Sequence, residues 1–363
     1  MSKVFVTGAT GQVGMHVVDY ILEDKKLGVT KPSDIICLVR NPSKADHLRQ
    51  QGVTLIEGDL QDSDTIFDVM LNGIDYVFHI AANILLNQTY DQMYVPNVLG
   101  TRIMLDAFLK SQAKCFIYTS SIAVYKAFNG RKRYYNLDEN SLLGEPEGEP
   151  YTVTKRIAEN IVREYARDNL NRKIIITRLG PIIGAGDKQT IPSIVDAMRY
   201  RFIPKLINRG KHLFAITSAR DVARAQVFLA EHNGDISGEA YNIAQKPISY
   251  RRIMNVIAEY YNRRRPVFSI TYWFFKSLIP LLRVLHKIFP KIKLIKTALS
   301  PITIKYIGKT YIYNSEKLEK LGFTFQVTSE EAIIDSLVYL DPERNLVKPS
   351  WRIKRKRSKT KEM

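Results

Sequence analysis

Close to its start the chain reads Thr7-Gly8-Ala9-Thr10-Gly11-Gln12-Val13-Gly14, three glycines set three residues apart between an apolar run and an amphipathic one. Lys3-Val4-Phe5-Val6 before it reads as a short buried strand. Gln12 to Glu23 after it carries Val13, Val17, Ile21 and Leu22 near helical spacing. A tight glycine turn from strand to helix aims backbone N–H groups and a helix N-terminus at whatever lies above it, which suits a pyrophosphate. Gly8 allows the tight turn, Gly11 the close approach of phosphate, and Gly14 the close packing of helix on strand. Glycine turns recur for blander reasons. What selects the binding reading is the position of this one, from first strand to first helix of an α/β pattern.

That pattern runs on for 180 residues. Ile35–Val39, Val53–Glu57, Asp75–His79, Lys114–Thr119 and Lys173–Thr177 read as further strands, with helical patterns between them, including a long one from Tyr90 to Ser111. Such alternation predicts a doubly wound parallel α/β sheet, a Rossmann arrangement entered by right-handed crossovers. Ligands of such sheets bind beyond the carboxyl ends of the strands, where the glycine loop sits. Residues 1–180 are expected to form the dinucleotide and catalytic part, and 181–345 a smaller substrate-binding region. Residues 346–363 are expected to be a disordered basic tail.

Cys37 and Cys115 fall in apolar runs with no paired spacing, so they read as core thiols of a reducing compartment rather than a disulfide or zinc framework. No metal site is expected. Met1-Ser2-Lys3 leads straight into the first strand without a signal-peptide pattern. The longest apolar stretch, Val267 to Pro290, is broken by Lys276, Pro280, Arg283, His286 and Lys287 and makes a poor membrane span. From these features a cytoplasmic protein is expected, with membrane association at the cytoplasmic face as the alternative. The net charge of +18 is unevenly placed: residues 251–309 hold 13 Lys/Arg against the single acid Glu259, and 352–363 hold 7 against Glu362. The two segments carry the whole excess, so an anionic partner is expected there.

Several further motifs follow the glycine loop in order: Gly58-Asp59-Leu60, His79-Ile80-Ala81-Ala82-Asn83, Asn97-Val98-Leu99-Gly100-Thr101, Thr119-Ser120-Ser121 and Tyr151-Thr152-Val153-Thr154-Lys155. Arg178-Leu179-Gly180-Pro181, Arg220-Asp221-Val222-Ala223 and Tyr241-Asn242-Ile243 complete the set. With these the chain resembles the extended short-chain dehydrogenase/reductases, the epimerase/dehydratase-like group, from the N-terminus to about residue 340. It looks closest to the branch of 3β-hydroxysteroid and sterol-carboxylate dehydrogenases and dihydroflavonol reductase. The resemblance implies a nicotinamide dinucleotide held by Gly8, Thr10, Gly11, Gln12, Val13 and Gly14. Asp59 would accept from the adenine amino group, beside Leu60. Ala81 and Ala82 would let backbone touch the cofactor, and Pro181 and Ile182 would contact the nicotinamide amide. Arg40, with Lys44 nearby, stands where an NAD-selective domain places an acid, and suits the extra phosphate of NADP. NADP is therefore expected, with NAD as the alternative.

Tyr151 and Lys155 lie four apart after Pro150 and share one helix face. A phenol of pKa near 10 is a poor acid–base at neutral pH. A nearby ammonium and the positive nicotinamide ring favour phenolate and lower that pKa. Lys155 would also bind the nicotinamide ribose. Ser121 would hydrogen-bond the substrate oxygen, with Ser120 in its place if the strand register differs by one. Asn97 is expected to tie the long helix to the site or to relay protons, and completes the catalytic set. His79 alone reads as a satisfied strand-end histidine.

Farther along, Asp221 reads as the cap of a helix Val222–Glu231, and Ser249 as the cap of Tyr250–Tyr261. In Tyr272–Lys291, Lys276, Arg283, Lys287 and Lys291 form one stripe at helical pitch, with Pro280 expected to kink or split the helix. This segment is either a lid over the substrate pocket or an interfacial helix on anionic headgroups, reinforced by the tail Arg352–Lys361. Nucleic acid is the weaker partner, since no binding module accompanies the charge. The expected activity is NAD(P)-dependent interconversion of a hydroxyl and a keto group on a small hydrophobic, sterol- or lipid-like substrate, by a homodimer. The competing readings are a nucleotide-sugar epimerase or dehydratase and a non-catalytic NADP-binding module. Ser120-Ser121 lacks the acidic pair of the dehydratases, and only Arg209 or Arg220 could grip a sugar-nucleotide pyrophosphate.

Overall fold

The computed structural model describes the chain except residues 86–87, 126–132, 146–147, 199–205, 291–294, 296–297, 300–307 and 347–363. Seven strands build the central sheet: β1 Val4–Thr7, β2 Ile35–Val39, β3 Thr54–Glu57, β4 Tyr76–His79, β5 Cys115–Ser121, β6 Lys173–Leu179 and β7 Ala240–Ile243. Their order is β3-β2-β1-β4-β5-β6-β7, and every pairing is parallel. The strand order reverses between β1 and β4, and the glycine loop leaves β1 at that crevice.

Alternation along the strands fills both faces. Val4, Val6, Cys37, Ile117 and Ile175 lie under the helices Gln12–Glu23 and Ala219–Glu231. Phe5, Leu38, Val77, Phe116 and Ile176 lie under Ser63–Leu71, Gly100–Lys110 and Pro150–Asp168. A separate core with Ile191, Val195, Ile253, Ile257, Ile333 and Leu337 holds the smaller part, the helices Thr190–Met198, Tyr250–Tyr260 and Ser329–Leu340. After residue 180 the chain also returns to the sheet, because β7 pairs with β6 and the helix before it covers one face.

Both β5 and β6 run two residues beyond the strands expected from the sequence. Their apolar runs stop early, yet the parallel register continues through Thr119↔Thr177, Ser120↔Arg178 and Ser121↔Leu179. The long helix from Tyr90 does reach Lys110, but opens into a π turn over Val95–Leu99. Pro96 has no N–H to give the carbonyl of Gln92. That oxygen instead accepts from Asn83 Nδ2 at 3.1 Å.

Ser249 caps its helix as expected, accepting from the Arg252 N–H. Asp221 does not cap. The helix starts earlier, at Ala219, and Ser218 accepts from the Arg220 N–H. The Asp221 carboxylate is buried in the first turn, where it accepts from the Gln326 and Val327 N–H groups and from Gln245 Nε2. The helix Tyr272–Ile288 runs unbroken through Pro280 rather than splitting there. Lys291 and the tail Arg352–Lys361 lie outside the described residues. Among those residues no helix is long and apolar enough to cross a membrane.

Candidate active site

The glycine loop is shaped by contacts that admit no side chain. Gly8 has φ +78°, and a Cβ there would stand 2.7 Å from the Ala81 backbone nitrogen. A Cβ at Gly14 would stand 2.3 Å from Gly8 O, so Gly14 makes room for the loop itself as much as for the strand. Gly11 donates to Gly8 O at 2.9 Å and begins the helix without any side-chain cap. The first turn therefore presents N–H groups that the helix cannot satisfy, with no acidic residue among them. Thr10 and Gly11 are exposed beside it, while Val13 is buried. Gln12 Nε2 donates to Gly184 O at 3.3 Å, holding the segment after β6 over the helix start. This donor set and steric cradle fit a dinucleotide pyrophosphate.

At the next strand end, His79 is clamped. The Thr101 hydroxyl donates to Asn97 O at 2.7 Å, so it accepts from His79 Nε2 at 3.0 Å. The bare Nδ1 then accepts from the Thr7 hydroxyl at 2.9 Å, whose oxygen takes the Ala81 N–H at 3.3 Å. His79 thus joins β1 and β4 to the helix Gly100–Lys110, as a satisfied core residue. Burial, with Lys155 nearby, pushes its pKa down to about 3. Burial likewise pushes His212 to about 4, and among the described residues neither of its ring nitrogens has a partner.

Both histidines stay neutral in the fold but titrate near 6.5 when unfolded. Their contribution is whole above that pH and is lost as pH falls toward the folded values. We expect the unfolding free energy to drop between about pH 6.5 and 5 by up to about 1.4 kcal/mol per pH unit for each. His212→Phe, which keeps the stacking on Tyr250, should remove one share. Urea titrations across that range check it, and an equal slope in both proteins would contradict it.

Pro150 opens the helix that carries Tyr151, Lys155 and Glu159 at four-residue intervals on one face. Lys155 is 3% exposed; its Nζ donates to Thr119 O at 2.6 Å and lies 4.9 Å from the Tyr118 ring centroid. Burial lowers its pKa to about 8, opposed by the charge of Glu159. The two serines at the end of β5 have different partners. Ser120 donates to Glu159 Oε2 at 2.6 Å in the buried layer, whereas Ser121 Oγ accepts the Ala123 N–H at 3.1 Å at the strand end. Glu159 also meets Arg178 at 2.7 Å, with both side chains wholly buried. Burial alone would raise the Glu159 pKa, but Arg178 holds it below the usual carboxylate range. Arg178 Nη1 donates to Tyr125 Oη at 2.9 Å, which donates to Asn242 Oδ1 at 2.6 Å.

The other expected residues divide by what they touch. The Asn97 amide is committed: Oδ1 accepts the Asn83 N–H at 2.6 Å, and Nδ2 donates to Asn83 O and Thr154 Oγ1. It ties the loop after β4 to the helix Pro150–Asp168. Arg40 and Lys44 are exposed at the carboxyl end of β2, where Asn41 caps the intervening turn. Asp59 is half-buried and accepts from the Gln61 N–H at 3.2 Å. The Leu60 side chain is buried against Gly100. Ala81, Ala82, Pro181 and Ile182 are half-buried at the same end of the sheet, and Pro181 O accepts from the Thr217 N–H. Glu159, Tyr118, Tyr125 and Asn242 carried no role in the sequence reading. The signal for Glu159 was present, since it follows Lys155 by one helical turn on a face that packs inward.

The family model of the NAD-dependent epimerases/dehydratases matches residues 4–244. The chain belongs to the NAD-dependent epimerase/dehydratase family. A sterol-4-alpha-carboxylate 3-dehydrogenase, decarboxylating, of Mus musculus is 27% identical over 91% of this chain and 89% of its own. A 4-hydroxy-2-methyl-3-oxo-4-farnesyl-3,4-dihydroquinoline-1-oxide ketoreductase of Stigmatella aurantiaca is 24% identical over 91% and 94%. Among solved structures, the UDP-glucose 4-epimerase of Thermotoga maritima superposes with a TM-score of 0.71 at 18% identity, over 94% and 99% of the two chains. The dTDP-glucose 4,6-dehydratase of Bacillus anthracis in complex with NAD gives 0.70 at 17%, over 96% and 99%. These two share the fold. As an epimerase/dehydratase family member, the chain is an NAD(P)-dependent enzyme of the short-chain dehydrogenase/reductase kind.

Proposed function

We propose that this enzyme interconverts a hydroxyl and a keto group on a hydrophobic, sterol- or lipid-like molecule, with NADP as the preferred cofactor. The observation that carries the reading is Lys155, buried on the Thr119 carbonyl one turn after Tyr151 and beside the end of β5. When bound, the dinucleotide supplies the hydride to the carbonyl carbon or accepts it in the reverse direction. Tyr151 gives the substrate oxygen its proton, or takes it back. The Lys155 ammonium lies on the Tyr151 side of the helix and favours the phenolate. Ser121 orients the substrate oxygen, and Asn97 positions the helix through Thr154. Gly8, Thr10, Gly11, Gln12, Val13 and Gly14 hold the pyrophosphate, Asp59 and Leu60 flank the adenine, and Ala81, Ala82, Pro181 and Ile182 line the nicotinamide side. Much of the acceleration is then positional.

A hydrophobic substrate is supported by the two relatives named for sterol and farnesylated substrates. The sugar-nucleotide reading is weakened by Arg220, which is paired with Asp335. Cofactor titration followed by turnover of sterol and lipid ketones tests the proposal. Tightly held cofactor with no net absorbance change would favour an epimerase, and cofactor binding without any turnover a non-catalytic module. We place the protein in the cytoplasm as a homodimer with peripheral access to membranes; its free, buried Cys37 and Cys115, whose thiols burial pushes up to about 12, support a reducing compartment.

Arg40→Asp should shift the cofactor preference from NADP toward NAD. The carboxylate repels a 2′-phosphate and accepts from ribose hydroxyls. Competitive titration with both cofactors measures the ratio, and an unchanged ratio would make Arg40 a surface residue only.

A further inference from the structure

The helix Tyr272–Ile288 has apolar residues on two sides. Phe275 is buried, and Leu278, Ile279, Leu282 and Leu285 are partly covered, so this side meets the protein. At 3.6 residues per turn the opposite side carries Trp273, Phe274, Leu281, Val284 and Ile288. All five are more than half exposed, Trp273 at 60% and Ile288 at 61%. Val267 and Phe268, just before the helix, are exposed by 73% and 70%. Between the two apolar sides runs a narrow cationic stripe of Lys276, Arg283 and Lys287, all exposed. From residue 260 to 315 the sequence has no Asp or Glu. A lid needs only the inner side to be apolar, so the outer one calls for a second partner.

We propose that Val267–Phe289 docks on an anionic lipid surface, with the outer apolar residues in the headgroup–acyl boundary and Lys276, Arg283 and Lys287 on lipid phosphates. The charge pattern selects this occupant. A second copy would bring like charge against like, and a nucleic acid would leave the apolar side in water. A bilayer rich in acidic lipid satisfies both features at once. Each cation near such a surface strengthens partition about fivefold, so the three together account for about a hundredfold. The inference deepens the lipid-substrate reading, since docking would bring the substrate-binding part to where such molecules dissolve. Binding is nevertheless measured without turnover, so either idea can fail alone.

The full-length protein should co-sediment with equimolar phosphatidylcholine–phosphatidylserine vesicles at low salt, and far less with phosphatidylcholine alone. Charge reversal at Lys276, Arg283 and Lys287 to Glu should lower partition by about a hundredfold or more. Leu281→Ser with Val284→Ser should remove the binding that persists at high salt, because screening weakens only the charge contribution. In a Trp351→Phe background Trp273 is the sole tryptophan, and its emission should shift to the blue on vesicles. The proposal is overturned if wild type ignores the mixed vesicles, or if only deletion of residues 352–363 releases it. Concentration-dependent self-association abolished by the Leu281/Val284 pair would overturn it in favour of a second copy. Retention of duplex DNA by that pair, with vesicle binding unchanged, would overturn it in favour of nucleic acid.

Discussion

Tyr151→Phe is expected to lower kcat by about a hundredfold to ten-thousandfold, while fold and cofactor affinity stay intact. The change deletes one oxygen from a half-buried side chain near the start of a helix whose own packing rests on Val153, Ala158, Ile161 and Val162. What disappears is the group proposed to move a proton to or from the substrate oxygen. Lys155 keeps its contacts with Thr119 O and Tyr118 Oη, so cofactor binding should report little change. Single-turnover measurement with saturating cofactor separates the chemical step from binding. Turnover within a few-fold of wild type would remove Tyr151 from the acid–base role.

The second large effect is on stability. Glu159→Gln should destabilise the protein by about 3–5 kcal/mol, because it leaves the Arg178 guanidinium buried without its counter-charge. The guanidinium would keep only neutral partners, among them Tyr125 Oη and Glu139 O. Ser120 would also face an amide in place of a carboxylate oxygen. Combining Glu159→Gln with Arg178→Met should lose much less than the two single changes added together, since the pair acts as one unit. Urea titration of the four proteins makes the comparison, and a loss below about 1 kcal/mol for Glu159→Gln would contradict the assignment.

Much of this was legible from residue order. Local patterns sufficed where one interaction range decides structure. The run Ile35–Val39 is apolar throughout because both faces of β2 are covered. The helix Gln12–Glu23 follows a glycine turn and an amphipathic period. The sequence reading failed where tertiary partners override local pattern. Ser120 and Ser121 look like a strand's polar exit, yet parallel pairing with Arg178 and Leu179 keeps them in the sheet. Asp221 looks like a cap because caps are acids near helix starts, but a loop a hundred residues on claims its oxygens. The candidate site was readable as motifs. Of its supports, Glu159 was signalled only by its place one turn after Lys155, and the Tyr125–Asn242 pair not at all, because a buried polar residue announces its role only once its partner's position is known.

Two consecutive residues of β5 hold the helix Pro150–Asp168 in two different ways, Thr119 through its carbonyl to Lys155 and Ser120 through its hydroxyl to Glu159, while Ser121 next to them bonds the Ala123 N–H at the strand end. Since neighbouring side chains on a strand face opposite ways, a slip of one residue would exchange the serine that anchors on Glu159 for the one proposed to meet the substrate. The proposed acid–base pair is therefore indexed to the pleat of the sheet, not to any loop. If Arg40 and the elements after residue 180 set cofactor and substrate preference as proposed, those preferences are free to change without touching this register. The spacing of Tyr151, Lys155 and Glu159 is not, because moving it would require re-registering a strand that lies at the middle of the molecule.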